Sequence, residues 1–204
     1  MDFTRILLIR HATTDRVGKA LSGWLPGIPL DAPGQAQALA LVDRFAQVPI
    51  DGIYSSPIQR AVETARPLAL SRRLKISENP DLGEVNFGDW QGQFLASITN
   101  SVEFIRFNEF RSCTRAPGGE LMIETQARMV RALVSIAQAH CGESIVVFSH
   151  ADAIKTAVMH CLGIPIDFHQ RLEIGTSSVT ELHWNPVMVR VLQINNSGNV
   201  SYHN

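Results

Sequence analysis

Two apolar runs that each end abruptly in histidine constrain this chain more than any other feature. Leu7-Leu8-Ile9 stops at Arg10-His11, and Ser144-Ile145-Val146-Val147-Phe148 stops at Ser149-His150. An uninterrupted apolar stretch of this length reads as a strand buried on both faces, and open α/β sheets bind ligands at the carboxyl ends of such strands. A helix over 151–162 is expected directly after the second run. Arginine offers a fixed fork of donors suited to phosphate, and a neutral imidazole beside it can act as nucleophile or base near neutral pH. One such ending could simply be polar residues surfacing from a core. Two of them favour a shared site.

A third segment, Ile53 to Ala65, supplies a further arginine. Ser56 fits an N-cap, Pro57 the first helical position and Gln59 a capping-box partner, which places Arg60 in the first turn of a helix. Helix amino termini attract anions, so an arginine there adds a full charge to a site already suited to phosphate. A fourth segment, Asp81 to Gly92, holds three glycines and two aromatics with no clear helical or strand period. A carboxylic acid near a phosphate keeps its proton and can protonate a leaving alkoxide. On chemistry alone Asp81 and Asp89 compete for that role, and either could be a turn residue.

Together these segments resemble the histidine phosphatase superfamily, in its phosphoglycerate mutase-like branch, over most of the chain. The family's Arg-His-Gly opening is similar to Arg10-His11-Ala12, its Ser-x-x-x-Arg-x-x-x-Thr-Ala segment to Ser56 through Arg60 to Thr64-Ala65, its catalytic acid to Glu84 and its second histidine to His150. Ser22-Gly23-Trp24 with Pro29-Leu30 and Gly34 resembles the segment after the family's first strand. Gln35 to Ala38, in a helix that Asp31 could cap, fits the same pattern, and Pro117-Gly118-Gly119-Glu120 resembles the stretch before a long helix.

The resemblance implies a three-layer α/β/α sandwich with a mostly parallel, mixed sheet. It implies a phosphomonoester hydrolase that needs neither metal nor cofactor, forms a phosphohistidine on His11 and uses Glu84 as general acid and base. Arg10, Arg60 and His150 complete the implied catalytic set, with His150 a cationic donor when phosphate is bound. Thr14, Ser22, Gly23 and Ala151 are the implied further substrate contacts. The loop from Phe87 to Gly92 resembles that of the small phosphatases more than that of the glycolytic mutases, and the expected substrate is a small phosphorylated metabolite. The alternatives are a phosphoglycerate mutase-type phosphotransferase and a catalytically weak phosphate-binding module. Three departures bear on the second: Ala12 and Ala151 stand where glycine is usual, and Val17 where relatives commonly carry a phosphate-binding asparagine. Thr14, Arg16 or Lys19 would then replace that contact.

The remaining pattern gives strands near 50–55, 74–78, 177–184 and 187–194, and helices near 32–47, 57–71, 93–111 and 120–141. Strands alternating with helices argue for βαβ units, and the Asn185-Pro186 turn for a closing hairpin. The 204 residues suit one domain over 1–204, without repeat or linker. With 18 basic and 19 acidic side chains the chain is nearly neutral, so no global field for nucleic acid exists. Arg72, Arg73 and Lys75 read as a solvated helix end.

Cys113, Cys141 and Cys161 form no CxxC pair, and the amino terminus shows no long apolar segment, so a reducing, cytoplasmic location away from membranes is expected. His140, His160, His169, His183 and His203 lack metal-ligand spacing and read as surface or helix-end residues, with His169 a candidate for the pocket. Phe94, Ile98, Phe104, Ile105, Phe107 and Phe110 read as helix core rather than a lid. Arg106, Arg111 and Arg115 in the same region are candidates for reading a second substrate charge. Edge strands and the resemblance are compatible with a homodimer.

Overall fold

A computed structural model describes residues 2–200. The first apolar run forms β1, Thr4–Arg10, and the second forms β4, Ser144–Ser149. Between them lie β2, Gly52–Ser55, and β3, Ile76–Glu78, and the chain closes with β5, Val179–Trp184, and β6, Val189–Asn196. The sheet order is β3-β2-β4-β1-β5-β6. The first four strands are parallel, and β5 turns antiparallel against β1 and pairs with β6 as the expected hairpin.

The even apolarity of β1 has a simple cause. Ile6 and Leu8 point to one face and Leu7 and Ile9 to the other, as the twofold period of a strand requires, and helices cover both faces. On one face lie α1, Ala32–Arg44, and α2, Gln59–Arg72, which with Phe45 just past α1 bring Leu41, Ala61, Ala65 and Leu68 against Leu7 and Ile9. On the other lie α5, Met122–Ala139, and α6, Ala151–Leu162, which bring Met129, Leu133, Ala153 and Ile154 against Ile6 and Leu8. This is the three-layer sandwich that the sequence implies. Asp31 caps α1 as expected, accepting from Gly34 N at 2.7 Å.

Two local expectations are corrected. Ser56 is not the N-cap of α2, because the helix starts at Gln59 with Ile58 as its cap. The Ser56 hydroxyl does accept from Ile58 N at 3.2 Å, but its closer partner is the ring of His150 at 2.8 Å, and Gln59 turns to Glu63 instead of closing a capping box. The expected helix over 93–111 is two helices, α3, Leu95–Ile98, and α4, Val102–Glu109. Ser101 separates them by capping the second, accepting from Phe104 N at 3.2 Å, a role in which serine competes with continuous helix. The apolar residues of this segment divide accordingly. Ile98 and Phe107 are buried and pack with Trp90 and Phe104, while Phe94, Ile105 and Phe110 face outward.

Candidate active site

The pairing of β1 with β4 sets Arg10 opposite Ser149, so His11 and His150 leave neighbouring strands side by side, with ring centroids 5.2 Å apart. The His11 backbone N–H donates to Ser149 O at 2.9 Å. Its ring nitrogen Nδ1 lies 2.7 Å from the carbonyl of Ala12. A carbonyl only accepts, so Nδ1 carries the proton and Nε2 keeps its lone pair. Burial, then the charges of Arg60 and Arg10, hold the His11 pKa well below the ordinary histidine value, against a smaller upward pull from Ala12. His11 is therefore a neutral imidazole with its nucleophilic nitrogen free.

The two alanines fit without backbone strain. Among the described residues the non-glycine positions of positive φ are Arg73, Ser177 and Asn195, so neither Ala12 nor Ala151 needs a conformation reserved for glycine. The Ala12 methyl packs with Leu30 and Ala38, and its N–H donates to Thr64 Oγ1 at 2.9 Å. Ala151 opens α6 and stands on the pocket wall.

Arg60 lies in the first turn of α2 and is 2% exposed. Its Nη2 donates to Gly23 O at 2.9 Å and to His150 Nδ1 at 3.1 Å, while its Nε and Nη1 have no partner. Arg10 donates through Nη1 to Ile174 O at 2.6 Å, and its Nε likewise has none. Burial lowers both guanidinium pKa values, that of Arg60 to about 10, so both stay cationic at neutral pH. Buried donors without acceptors are costly, and three of them on two cations that line one pocket suit an anion with several oxygens.

His150 is held on both sides of its ring. Arginine cannot accept, so His150 Nδ1 accepts from Arg60, and Nε2–H donates to Ser56 Oγ. Both ring nitrogens are engaged, the residue is fully buried, and it stands behind Arg60 rather than on the wall. Burial first, then the charge of Arg60, hold it well below the ordinary histidine pKa, so it is neutral here.

Glu84 reaches the pocket from a loop without regular structure. Its Oε1 accepts from Val85 N at 3.0 Å and from Ala153 N, in the first turn of α6, at 3.2 Å. Burial, followed by the nearby Asp152, raises its pKa to about 6 against the opposing pull of Val85 N–H, Arg60 and Arg10. Asp81 and Asp89 do not compete. Asp81 pairs with Arg131 at 3.2 Å on the surface, and Asp89 is exposed.

Sequence reasoning missed the residue that holds this loop. Arg128, on α5, donates to the carbonyls of Asp81 at 2.9 Å, Gly83 at 2.8 Å and Glu84 at 2.7 Å. Its remaining donors meet both carboxylate oxygens of Glu120, at 2.9 and 3.0 Å. Glu120 in turn accepts from Asn86 N at 2.7 Å. The loop also lies backbone to backbone on residues 117–119: Gly88 has φ +52°, and a Cβ there would sit 2.0 Å from Pro117 O.

The resulting pocket has a volume of about 170 Å³. Thr14, Ser22, Gly23 and Ala151 stand on its wall beside Arg10, His11, Arg60 and Glu84, so the implied contacts other than His150 converge. Val17 is there as well, and of Thr14, Arg16 and Lys19 only Thr14 accompanies it.

A second missed residue, Asp152, shares that wall. Its Oδ2 lies 3.4 Å from Arg111 Nη1 and its Oδ1 lies 3.8 Å from His169 Nε2. Burial pushes the Asp152 carboxyl up, but His169, Arg111, Lys155 and Arg10 outweigh it and bring the pKa down to about 2. His169 is thus fully buried beneath the wall, not a surface residue, and His203 lies outside the described residues. Arg115 pairs with Glu124 on the surface, and Arg111 is committed to Asp152 and Asn108. Among the described residues no cluster of His, Cys, Asp and Glu could hold a metal ion, and no helix is long and apolar enough to cross a membrane.

A model of the histidine phosphatase superfamily, branch 1, matches residues 6–197. The chain belongs to this superfamily. Among its relatives in the histidine phosphatases is a probable phosphoglycerate mutase GpmB of Escherichia fergusonii, 28% identical over 88% of this chain and 85% of that protein. Phosphoserine phosphatase 1 of Hydrogenobacter thermophilus is 23% identical over 94% of this chain and 92% of its own. The solved structure of YhfR from Bacillus stearothermophilus superposes with a TM-score of 0.88 at 28% identity, covering 97% of this chain and 98% of that one. The six-stranded sheet and its two helical layers are therefore those of a histidine phosphatase.

Proposed function

We propose that this histidine phosphatase hydrolyses phosphomonoesters without a metal ion, through a phosphohistidine on His11. One observation carries the reading: a neutral imidazole, its proton fixed on Nδ1 by the Ala12 carbonyl, presents a free Nε2 between two cations whose buried donors lack acceptors. The donors of Arg10 and Arg60 take the non-bridging oxygens and neutralise their charge. Nε2 then forms a bond to phosphorus as the ester P–O bond breaks. Glu84 gives its proton to the departing oxygen, and its raised pKa supplies that proton near neutral pH. In the second half Glu84 takes a proton from water, whose oxygen bonds phosphorus as the N–P bond breaks, releasing phosphate and the neutral imidazole. His150 enters by aiming Arg60 at the phosphate. Two wall cations suffice for one phosphate, which favours hydrolysis over transfer between phosphoglycerates.

The test is phosphate release from a broad panel of monoesters in excess EDTA, with wild type and His11→Ala compared. Turnover that resists EDTA, disappears in the variant and is accompanied by labelled phosphoenzyme in wild type alone is the expected result. Label trapped equally on both proteins overturns the role of His11, and transfer between phosphoglycerates faster than hydrolysis overturns the choice of reaction.

A further inference from the structure

We propose that Asp152 selects the leaving group: it accepts a hydrogen bond from an ammonium or hydroxyl group carried near the ester oxygen, and repels esters that carry a second anion. The proposal rests on the hydrolase reading and gives it a substrate class.

Position is the first argument. Asp152 is adjacent to Ala153, whose N–H donates to Glu84 Oε1 at 3.2 Å, so Asp152 and the Glu84 carboxyl meet at the same turn of α6. The ester oxygen that Glu84 protonates is bonded to the first carbon of the leaving group, and substituents on that carbon or its neighbour come within reach of Asp152. Its side chain is 21% exposed and stands on the pocket wall, so it is available to a ligand.

The second argument is how the carboxylate is held. Arg111 approaches Oδ2 at 3.4 Å, is itself fixed by Asn108 Oδ1 at 2.6 Å and lies 4.8 Å over the Phe107 ring. Gln170 donates to the same Asn108 oxygen at 2.6 Å. An ionised carboxylate has about four acceptor sites, and these contacts leave some of them free to accept from the pocket. The rigid support fixes where a donor must sit.

The third argument is the distribution of charge. Arg10 and Arg60 are the cations on the wall, and the phosphate occupies both. Among the described lining residues no other cation is left for a second anionic group, and the wall offers it the acceptor oxygens of Asp152, whose pairing with Arg111 offsets only part of their charge. Val17, Ala20, Leu21, Phe87 and Leu95 give the wall an apolar part, which suits a short carbon skeleton.

The experiment compares three two-carbon esters, 2-aminoethyl phosphate, ethyl phosphate and 2-phosphoglycolate, in wild type and Asp152→Asn. Wild type is expected to prefer 2-aminoethyl phosphate to 2-phosphoglycolate. Asp152→Asn is expected to shrink the ratio of their kcat/KM values at least tenfold, with the change carried mainly by KM. Any effect of Asp152 exerted only through Glu84 falls on kcat and follows leaving-group basicity, so a change confined to kcat, or one that leaves the KM order of the three esters as it was, overturns the proposal. So does a wild-type preference for 2-phosphoglycolate, a measurement that needs no variant to fold. Hydrolysis of none of the three, or of any other ester, overturns the hydrolase reading itself, a result distinct from turnover without the expected order.

Discussion

At Glu84, stability and activity pull in opposite directions. Its folded pKa of about 6 exceeds the ordinary 4.5, so the protonated form is favoured by the fold. That favourable contribution is complete below pH 4.5 and is lost as the pH rises through 6, leaving a buried charge that costs about 2 kcal/mol, from a shift of about 1.5 units at 1.36 kcal/mol each. Glu84→Gln keeps an acceptor for Val85 and Ala153 without the charge. Thermal melts should show the variant stabilised at pH 8 and nearly unchanged at pH 4.5. Its turnover of alkyl phosphates should fall by roughly 10²–10⁴, the usual worth of a general acid, while p-nitrophenyl phosphate, whose phenolate leaves unaided, should lose far less. Equal losses on both esters would remove Glu84 from proton transfer.

At the scale of elements, the acid loop and α5 act as one unit through Arg128. Arg128→Gln leaves the half-buried Glu120 carboxylate and three carbonyls short of donors, and should lower stability by roughly 1–3 kcal/mol, the range for stranding acceptors at a partly buried site. It should also reproduce the leaving-group pattern of Glu84→Gln in milder form, with alkyl esters losing most in kcat and KM little changed. A variant slowed equally on every ester would show that Arg128 supports the fold alone. Sequence signals are local, and what they leave out is set by distance along the chain. The two central strands could be read directly, since both faces of β1 and β4 are covered and the apolar run is unbroken. Arg128 could not, because it borders the apolar face of α5 beside Thr125 and Met129, and besides Glu120 its acceptors are carbonyls more than forty residues away. The local pattern of Ser56 fits a cap, whereas its partner His150 lies 94 residues on. Residue chemistry left Asp81 and Asp89 as rivals, and only the family resemblance pointed to Glu84. Asp152 carried no signal beyond being acidic in a first helical turn.

For the molecule as a whole, the unpartnered donors of Arg10 and Arg60 predict that a phosphate anion stabilises the native state. Inorganic phosphate at a hundred times its dissociation constant adds about 2.7 kcal/mol to the folded state. In a chain of this size that raises Tm by roughly 5–10 °C. The shift should follow the logarithm of phosphate concentration and be absent with chloride at matched ionic strength; equal shifts in both salts would mean that no specific anion site exists.

The place of β1 in the sheet has a kinetic consequence. It pairs with β4 in a register joining Arg5 to Ser144, and with β5 in one joining Thr4 to Trp184, so its neighbours arrive from far along the chain. Closing such loops is slow relative to forming local helices, and α1 and α2 can form while β1 still has an open edge. The burial that lowers the His11 pKa requires β4 beside β1. The environment that keeps His11 neutral is therefore assembled from parts far apart in the chain, by burial and by the charges of Arg60 and Arg10.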